Sequence, residues 1–315
     1  MKIGIIGAGR IAQKVTKTLA KMPEIELYAV ASRDLKKAQD FAKENGYMNA
    51  YGSYFDLYND PNVELVYVCV PHSKHLEVSK DALAAGKNVL CEKPITVNAK
   101  ELEELIDYAK DKPGYLAEAM WVRYMPSYQI IRDALASGVI GKPSMLVASL
   151  SYSNAYKERI MSKDLAGGAL LDLGVYGLNF AAMYFGYDIE SIKSCPVFAE
   201  TGIDKSESIT IKYKDGKIAI LSHAIDCVGP REGVIHGDKG YIVVDNINCP
   251  TKLDVYNKEY ELLRHEDLPI DISGYEFEFR EAASQIEKGE CESKSMPLSE
   301  SLKIMKLCDE VRKSW

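Results

Sequence analysis

The sequence predicts an α/β domain with a parallel, doubly wound sheet, followed by an α+β domain with an antiparallel sheet. The chain has 315 residues, about twice the usual size of one domain. Strand-like and helix-like segments alternate as far as Met120, which is typical of units that build a parallel sheet. After Met120, strand-like segments follow one another and are joined by hairpin-like turns. We therefore predict a first domain over residues 1–120 and a second domain over residues 121–315.

The first domain has five strand-like segments that are apolar on both faces, as in a sheet covered by helices on both sides. They are Lys2–Gly7, Ile25–Ser32, Val63–Pro71, Asn88–Cys91 and Tyr115–Met120. Between them stand segments with apolar residues at helical spacing, namely Ile11–Met22, Leu35–Asn45, Leu76–Ala85 and Asn98–Lys110. Asp34 or Ser32 is available to cap the second helix, Asn98 caps the fourth, and Gly86 ends the third.

The second domain begins with a strand over Ser144–Tyr152 and a glycine-bracketed, apolar helix over Gly167–Gly186. Seven further strands are predicted, at Ile189–Pro196, Glu207–Tyr213, Lys217–Cys227, Arg231–Gly237, Gly240–Asp245, Lys252–Tyr256 and Tyr260–Arg264. The turns over residues 214–216 and 237–240 contain Asp and Gly, which favour hairpins. Helices over Glu276–Lys288 and Ser299–Ser314 end the chain.

Composition and charge exclude several classes of protein. The chain carries 39 Lys and Arg against 46 Asp and Glu, a net charge of −7, so we expect no nucleic-acid partner. No apolar run approaches the roughly 18 residues of a membrane-spanning helix, so we expect no membrane partner. The seven cysteines include no C-x-x-C pair, and no cluster has the spacing of metal ligands, so we expect no metal. The cysteine pattern predicts a reducing, cytoplasmic location.

The turn after the first strand predicts a dinucleotide site. Its sequence, Gly7-Ala8-Gly9-Arg10-Ile11-Ala12, fits G-x-G-x-x-G/A and opens a helix directly after a strand. Gly7 permits the tight turn, and Gly9 lets the backbone approach a pyrophosphate at the helix N-terminus. The alternative is a tight turn between strand and helix that holds no ligand.

The end of the second strand predicts which nicotinamide cofactor is bound. An acidic residue at this place usually contacts the ribose of NAD, whereas Arg accommodates the 2′-phosphate of NADP. Here the strand ends in Ser32 and Arg33, and Lys37 adds positive charge one turn later. We predict NADP, with NAD as the alternative because Asp34 could serve a 2′-hydroxyl. The basic residues could also be only a solvated helix face.

Three motifs in this order resemble the glucose–fructose oxidoreductase/inositol dehydrogenase (Gfo/Idh/MocA) family. They are the glycine-rich turn, Val70-Pro71-His72-Ser73-Lys74-His75 and Glu92-Lys93-Pro94. The resemblance covers essentially the whole chain and implies a Rossmann domain followed by a domain with a large, open-faced antiparallel sheet. Residues 118–126 and 167–176 are most similar to the dimeric dihydrodiol dehydrogenase and glucose–fructose oxidoreductase branch. Many inositol dehydrogenase-like members have His in place of Tyr176, which disfavours an inositol substrate.

The resemblance also implies roles for single residues. Lys93 polarises the substrate oxygen, and Tyr176 transfers the proton. Asp172, four residues before Tyr176 and on the same helix face, orients the substrate or tunes Lys93, and Arg159 is a weaker candidate for substrate contact. The expected cofactor contacts are Gly7, Gly9, Arg10, Ile11, Ala12, Ser32, Arg33, Lys37, Pro71, His72, His75, Glu92, Lys93, Trp121 and Arg123. The histidines, Trp121 and Arg123 could instead have structural roles alone.

We also predict a homodimer formed through the outer face of the second-domain sheet. Ser208–Tyr213 and Lys217–Leu221 carry apolar residues on one face, and the resembled family uses this face for association. A sheet with helices on only one face leaves the other face free to pair with a second copy.

Together these features predict an oxidoreductase that transfers a hydride between NADP, or NAD, and a small sugar, polyol or cyclic diol. It would be a dehydrogenase or reductase acting on CH–OH or CH–CH groups. Two alternatives stay open. A catalytically silent NAD(P)-binding regulator needs no proton-transfer pair, whereas this chain has Lys93, Asp172 and Tyr176. A nucleotide-sugar enzyme needs more basic residues near its substrate, and only residues 157–163 offer them.

Overall fold

The computed structural model describes all residues from Met1 to Trp315. They form two compact units, each made of two stretches of chain. The first unit comprises Met1–Tyr124 and Asp271–Leu302, and the second comprises Met125–Ile270 and Lys303–Trp315.

Six strands build the sheet of the first unit: β1 (Lys2–Ile6), β2 (Glu26–Ala31), β3 (Asn49–Tyr51), β4 (Leu65–Val68), β5 (Asn88–Glu92) and β6 (Leu116–Ala119). All pairs are parallel, in the order β3-β2-β1-β4-β5-β6. This is the doubly wound order with a switch point beside β1, so the predicted fold of the first domain is confirmed. Strand β3 was not predicted, because three residues are too few to show a period.

Five helices connect these strands: α1 (Arg10–Leu19), α2 (Leu35–Asn45), α3 (Tyr54–Asn59), α4 (His75–Ala84) and α5 (Ala99–Lys110). Side-chain oxygens cap three of them, because Asp34, Ser53 and Asn98 each accept a hydrogen bond from a backbone N–H in the first turn. The caps at Asp34 and Asn98 are those that the sequence predicts. Helix α3, only six residues long, was not predicted.

The second unit contains one eight-stranded sheet and three helices before residue 270. The helices are α6 (Ser127–Ala136), α7 (Glu158–Met161) and α8 (Val175–Phe185). The strands are β7 (Pro143–Ser151), β8 (Ile189–Phe198), β9 (Asp204–Tyr213), β10 (Ile218–Ala224), β11 (Gly233–Gly237), β12 (Gly240–Val244), β13 (Lys252–Asn257) and β14 (Leu262–Asp267). Their order is β14-β13-β12-β11-β7-β10-β9-β8. All pairs are antiparallel except β7 with β10, so the predicted large antiparallel sheet is confirmed.

The two faces of this sheet differ. The inner face packs against α8, where the ring of Phe185 lies 5.6 Å from that of Tyr213. The apolar residues of β9 and β10, among them Ile209 and Leu221, are buried on this inner face. This corrects the basis of the predicted dimer, because the pattern in these two strands reflects packing within the chain. The apolar residues of the outer face lie mainly on other strands: Met145, Val147, Val234, Tyr241, Val243 and Tyr256, with Ile220 on β10.

Two helices complete the chain, α9 (Glu276–Glu287) and α10 (Leu298–Lys313). Phe279 and Ala282 of α9 are buried in the core of the first unit, where the Phe279 ring lies 5.1 Å from that of Tyr67. A single boundary at residue 120 did not anticipate this return. The apolar period of α9 predicts a helix, but it does not say which core receives the apolar face. No helix has the length and apolar character to span a membrane.

Candidate active site

The turn between β1 and α1 has the backbone that its glycine pattern predicts. Gly7 has a φ of +105°, and a Cβ there would lie 2.7 Å from the carbonyl oxygen of Cys69, so any larger residue is strained. Gly9 is the N-cap of α1 without a side-chain cap, and a Cβ there would meet no atom within 4 Å. The first turn of α1 therefore lies beside open space, the arrangement that receives a pyrophosphate. Ala12, at the third position of the pattern, is fully buried in the core.

The segment after β2 holds the residues predicted at the cofactor's ribose. Asp34 caps α2 by accepting the N–H of Lys37 at 3.2 Å, and its own N–H donates to the buried Ser32 Oγ at 3.3 Å. Arg33 is exposed and lies near the Tyr54 hydroxyl. Burial raises the pKa of that phenol, and the Arg33 charge opposes the rise. The one carboxylate that could bind a 2′-hydroxyl is thus engaged in capping, while a guanidinium faces solvent.

His75 joins the loops that follow β4 and β5. Its fully buried ring lies between two backbone carbonyls, with Nδ1 2.8 Å from the Pro94 oxygen and Nε2 2.9 Å from the Val70 oxygen. His72 is also buried, and its ring centroid lies 5.6 Å from that of His75. It begins a 3-10 turn directly after Pro71. His75 therefore supports the turn that carries Lys93, and a contact of either histidine with the cofactor stays a prediction.

Buried carboxyls lie beneath this turn. The Tyr67 hydroxyl donates to Glu92 Oε1, and the backbone N–H of Lys93 donates to Glu92 Oε2 at 3.2 Å. Burial, with the charges of Glu92 and Glu276, raises the pKa of Glu278 well above its ordinary value. Sequence reasoning missed Tyr67 and Glu278. A Tyr inside an apolar strand is typical of core, and a Glu inside a helix is typical of surface, so neither gave a signal.

Trp121 and Arg123 make structural contacts within the first unit. The Trp121 ring stacks on Tyr275 with centroids 4.2 Å apart. Arg123 is buried, and its Nη1 lies 3.6 Å from Glu300 Oε2. Both partners belong to the returning segment Asp271–Leu302, so these two side chains hold that segment, and their contact with a cofactor stays a prediction.

In the second unit, Asp172 and Tyr176 lie where a π-helix, Leu170–Gly174, passes into α8. The N–H of Val175 bonds to the carbonyl of Leu170, five residues earlier. Both side chains are largely buried, and Arg159 Nη2 lies 3.0 Å from Asp172 Oδ1. The prediction of one regular helix over Gly167–Gly186 is therefore corrected. Apolar spacing does not separate a π-turn from an α-turn, and π-turns are frequent at functional sites.

Three segments with predicted cofactor residues lie at one edge of the sheet of the first unit. The glycine-rich turn, the Ser32–Arg33 segment and the Glu92–Lys93 turn follow β1, β2 and β5, whose carboxyl ends lie at the same edge. The open space at Gly9 and the uncapped start of α1 fit a dinucleotide. Lys93 belongs to the first unit, and Arg159, Asp172 and Tyr176 belong to the second.

Two family models match this chain. Residues 1–119 match an oxidoreductase family with an NAD-binding Rossmann fold, and residues 128–243 match the carboxyl-terminal domain of Gfo/Idh/MocA proteins.

Relatives match over nearly the full length. The chain is 35% identical to trans-1,2-dihydrobenzene-1,2-diol dehydrogenase of Xenopus tropicalis over 317 residues, covering 98% of this chain and 96% of the relative. It is 34% identical to the protein of the same name from Mus musculus, covering 100% of this chain and 96% of that relative. A solved 3-ketoreductase from Actinomadura kijaniata, in complex with NADP and TDP-benzene, is 25% identical with a TM-score of 0.92, covering 100% and 97%. A levoglucosan dehydrogenase at 18% identity, with a TM-score of 0.87 over 100% of this chain and 96% of its own, shares the fold.

Proposed function

The chain belongs to the Gfo/Idh/MocA family of NAD(P)-dependent oxidoreductases, and on that premise we propose an NADP-preferring dehydrogenase or reductase of cyclic diols or small sugars. The observation that carries the proposal is the π-helix, which holds Asp172 against Arg159 and continues directly into Tyr176. A carboxylate paired with a guanidinium, followed by a phenol, suits a substrate with neighbouring hydroxyls. The names of two similar proteins, a trans-1,2-dihydrobenzene-1,2-diol dehydrogenase and a 3-ketoreductase, support a substrate with hydroxyl or keto groups.

In this proposal Lys93 and Tyr176 carry out the proton transfer to or from the substrate oxygen. A nicotinamide, when bound, supplies the hydride acceptor or donor. A free Tyr has a pKa of about 10 and is a weak acid or base at neutral pH. The Lys93 ammonium stabilises the phenolate and polarises the substrate oxygen, so that Tyr176 can exchange its proton with that oxygen. Asp172, held by Arg159, orients a neighbouring hydroxyl.

The preference for NADP rests on the segment after β2. The Asp34 carboxylate caps α2, while Arg33 is exposed and directly follows the buried Ser32. A 2′-phosphate can pair with a guanidinium and accept from a hydroxyl. NAD, which lacks that phosphate, would gain nothing from Arg33 beyond stacking on adenine.

We also propose a homodimer through the outer face of the eight-stranded sheet. This face exposes Met145 and Ile220, and the rings of Tyr241 and Tyr256 stack 4.8 Å apart on it. An apolar, aromatic face is suited to a two-fold interface. Sedimentation equilibrium at micromolar concentration should give twice the chain mass of 35.1 kDa, and a monomer would refute the dimer. The cytoplasmic location stays a prediction from the cysteine pattern.

A substrate panel tests the activity. Trans-dihydrodiols, monosaccharides and anhydrosugars are mixed with NADP or NAD, and the absorbance of the reduced cofactor is followed. We expect turnover of at least one diol or sugar, faster with NADP, and slower by about 10²–10⁴-fold in a Tyr176→Phe control. If the protein binds NADP in calorimetry but turns over no compound, the catalytically silent regulator replaces this proposal. If it binds neither cofactor, the dinucleotide site itself is refuted.

A further inference from the structure

A group of buried polar side chains underlies the π-helix and is not part of the proposed chemistry. Glu207 on β9 and His223 on β10 are directly opposite each other in the strand pairing. The Glu207 Oε1 lies 3.2 Å from His223 Nδ1, and neither side chain is exposed to solvent. Their other polar atoms, Glu207 Oε2 and His223 Nε2, have no hydrogen-bond partner. Burying polar atoms without hydrogen-bond partners costs free energy, so stability alone does not explain why polar residues occupy these two positions.

Both side chains lie in close contact with glycines of the helical segment that packs on the sheet. A Cβ on Gly174 would lie 2.5 Å from Glu207 Oε1, and a Cβ on Gly177 would lie 2.2 Å from His223 Nε2. Gly174 is the last residue of the π-helix, and Gly177 directly follows Tyr176. The carboxylate–imidazole pair is therefore in direct contact with the backbone on both sides of Tyr176, a closeness that only glycine allows.

A third polar group holds the start of the same segment. Asp204 of β9 accepts the N–H of Leu170, the first residue of the π-helix, at 2.6 Å. A Cβ on Gly168 would lie 2.1 Å from Asp204 Oδ1. Three polar side chains of two neighbouring strands thus contact the segment at Gly168, Gly174 and Gly177.

We propose that Glu207 and His223, with Asp204, are positioning residues that hold the π-helical turn and so set the orientation of Asp172 and Tyr176. A π-turn breaks the regular hydrogen bonding of a helix, so the turn needs contacts from outside the segment to persist. Apolar residues would fill the same volume without fixing the distance to the backbone. The roles of Asp172 and Tyr176 rest on the proposed function. The inference that these three polar side chains stabilise the π-helix does not.

The test replaces the pair with apolar residues of similar size, in Glu207→Met/His223→Leu. A buried polar pair that serves stability alone can be replaced this way at little cost or with a gain. Hydrogen exchange of the peptide 168–178 is measured by mass spectrometry, together with thermal unfolding, kcat and KM. The control is Tyr213→Leu, which alters a buried residue of β9 that packs against the far end of α8.

We expect the double variant to unfold at the wild-type temperature or above it, yet to exchange the peptide 168–178 at least 10-fold faster. Its kcat should fall 10- to 100-fold while the KM for the cofactor stays unchanged. The single variant Glu207→Gln retains the acceptor oxygen for His223. Its exchange rate and kcat should therefore stay within about threefold of wild type. The Tyr213→Leu control should lower the unfolding temperature without selectively exposing this peptide.

Wild-type exchange in a folded double variant overturns the proposal, whatever the activity. If no substrate is turned over even by the wild-type protein, the proposed function fails, and the exchange result alone still decides the hold on the π-helix. If the double variant does not fold, Gly177→Ala carries the test, because its methyl group displaces the imidazole from the helix. Faster exchange of 168–178 in that variant supports the proposal, and unchanged exchange overturns it.

Discussion

The glycine-rich turn after β1 and the π-helical turn before α8 both put a short, glycine-bearing segment beside a functional position. The first is held mainly by backbone contacts, since Gly7 adopts a φ of +105°, its N–H donates to the Ala31 carbonyl at 3.0 Å, and α1 begins without a side-chain cap. The second is held from outside, by Asp204, Glu207 and His223 of the sheet beneath it. In the first turn, glycine is needed for backbone conformation and for space. In the second, glycine is needed so that long-range polar groups can reach the backbone.

Because of this difference, substitutions in the two turns should have different effects. A change in the glycine-rich turn acts on ligand affinity or on local strain. A change around the π-helix acts on the orientation of Asp172 and Tyr176, the side chains that we propose to contact the substrate. Four measurements sharpen or break the contrast.

The largest effect is expected at Tyr176 and Lys93. Tyr176→Phe keeps the packed ring but removes the proton-transferring hydroxyl, so kcat should fall by about 10²–10⁴-fold while the fold survives. Lys93→Met should lower kcat at least as far, and the double variant should be little worse than the poorer single variant because the two act together. Tyr213→Phe, another buried tyrosine of the second unit, is the control. Near-normal turnover of Tyr176→Phe would assign the proton transfer to another group, with Asp172 next to be tested.

The next effect is expected at the ribose end of the cofactor. Arg33→Ala removes one charge-assisted contact with the 2′-phosphate, about 1.5–3 kcal/mol, so the Kd for NADP should rise about 10- to 100-fold. The Kd for NAD should hardly change. Lys36→Ala is the matched control, because Lys36 is exposed on α2, three residues after Arg33, and pairs with Asp40 at 3.3 Å. Equal losses for both cofactors would show that Arg33 acts on the adenine ring, and tighter binding of NAD by the wild-type protein would refute the assignment to NADP.

Two glycine substitutions in the first turn should separate folding from binding. Gly7→Ala forces a strained φ and a clash with the Cys69 carbonyl, so the free energy of unfolding should fall by about 1–3 kcal/mol. Gly9→Ala meets no atom of the protein within 4 Å, so stability should stay constant while the Kd for cofactor rises at least about 10-fold. Urea unfolding and calorimetry measure the two quantities. Unchanged affinity in Gly9→Ala would mean that the turn holds no pyrophosphate.

The smallest effect is a dependence of stability on pH that arises beneath the π-helix. Burial and the Glu207 charge raise the pKa of Asp204 to about 7, against the opposing bond from the Leu170 N–H and the charge of Arg312. The folded protein therefore binds more protons than the unfolded chain between the ordinary pKa of 3.8 and about pH 7. The stability that this group contributes is complete below that range and is lost as the pH rises through 7.

Urea unfolding at several pH values measures this contribution. Between pH 4 and pH 7, the free energy of unfolding of the wild-type protein should fall by at least about 1.4 kcal/mol because of Asp204, which is the free energy of one pKa unit. In Asp204→Asn this fall should be absent. Both proteins retain the groups that surround this carboxyl, which are Glu207, His223 and Arg312. Asp215→Asn, at an exposed ion pair with Lys217, should leave the wild-type slope in place. Equal slopes for wild type and Asp204→Asn would show that the buried carboxyl does not titrate in this range.

Much of this architecture was predictable because its signals are local. The G-x-G-x-x-A turn, the strand periods and the caps at Asp34 and Asn98 each lie within a few residues, and all are found where predicted. Strand β3 and helix α3 were missed, since each is shorter than one clear period. The dimer argument from Ser208–Tyr213 failed in its detail because alternation shows that one face of a strand is apolar, without showing what covers it.

The sequence by itself determined that the first sheet is parallel and doubly wound, that the turn after its first strand suits a dinucleotide, and which family the chain resembles. Backbone conformation at glycine and the period of apolar side chains are properties of short segments, so they can be read without the fold. Only the tertiary structure decided that α9 returns to the first core, that Leu170–Gly174 is a π-helix, and that Glu207 and His223 meet beneath it. Those outcomes depend on contacts between residues far apart in the chain. No local pattern encodes such contacts, because the partner's position is set by the packing of the whole sheet.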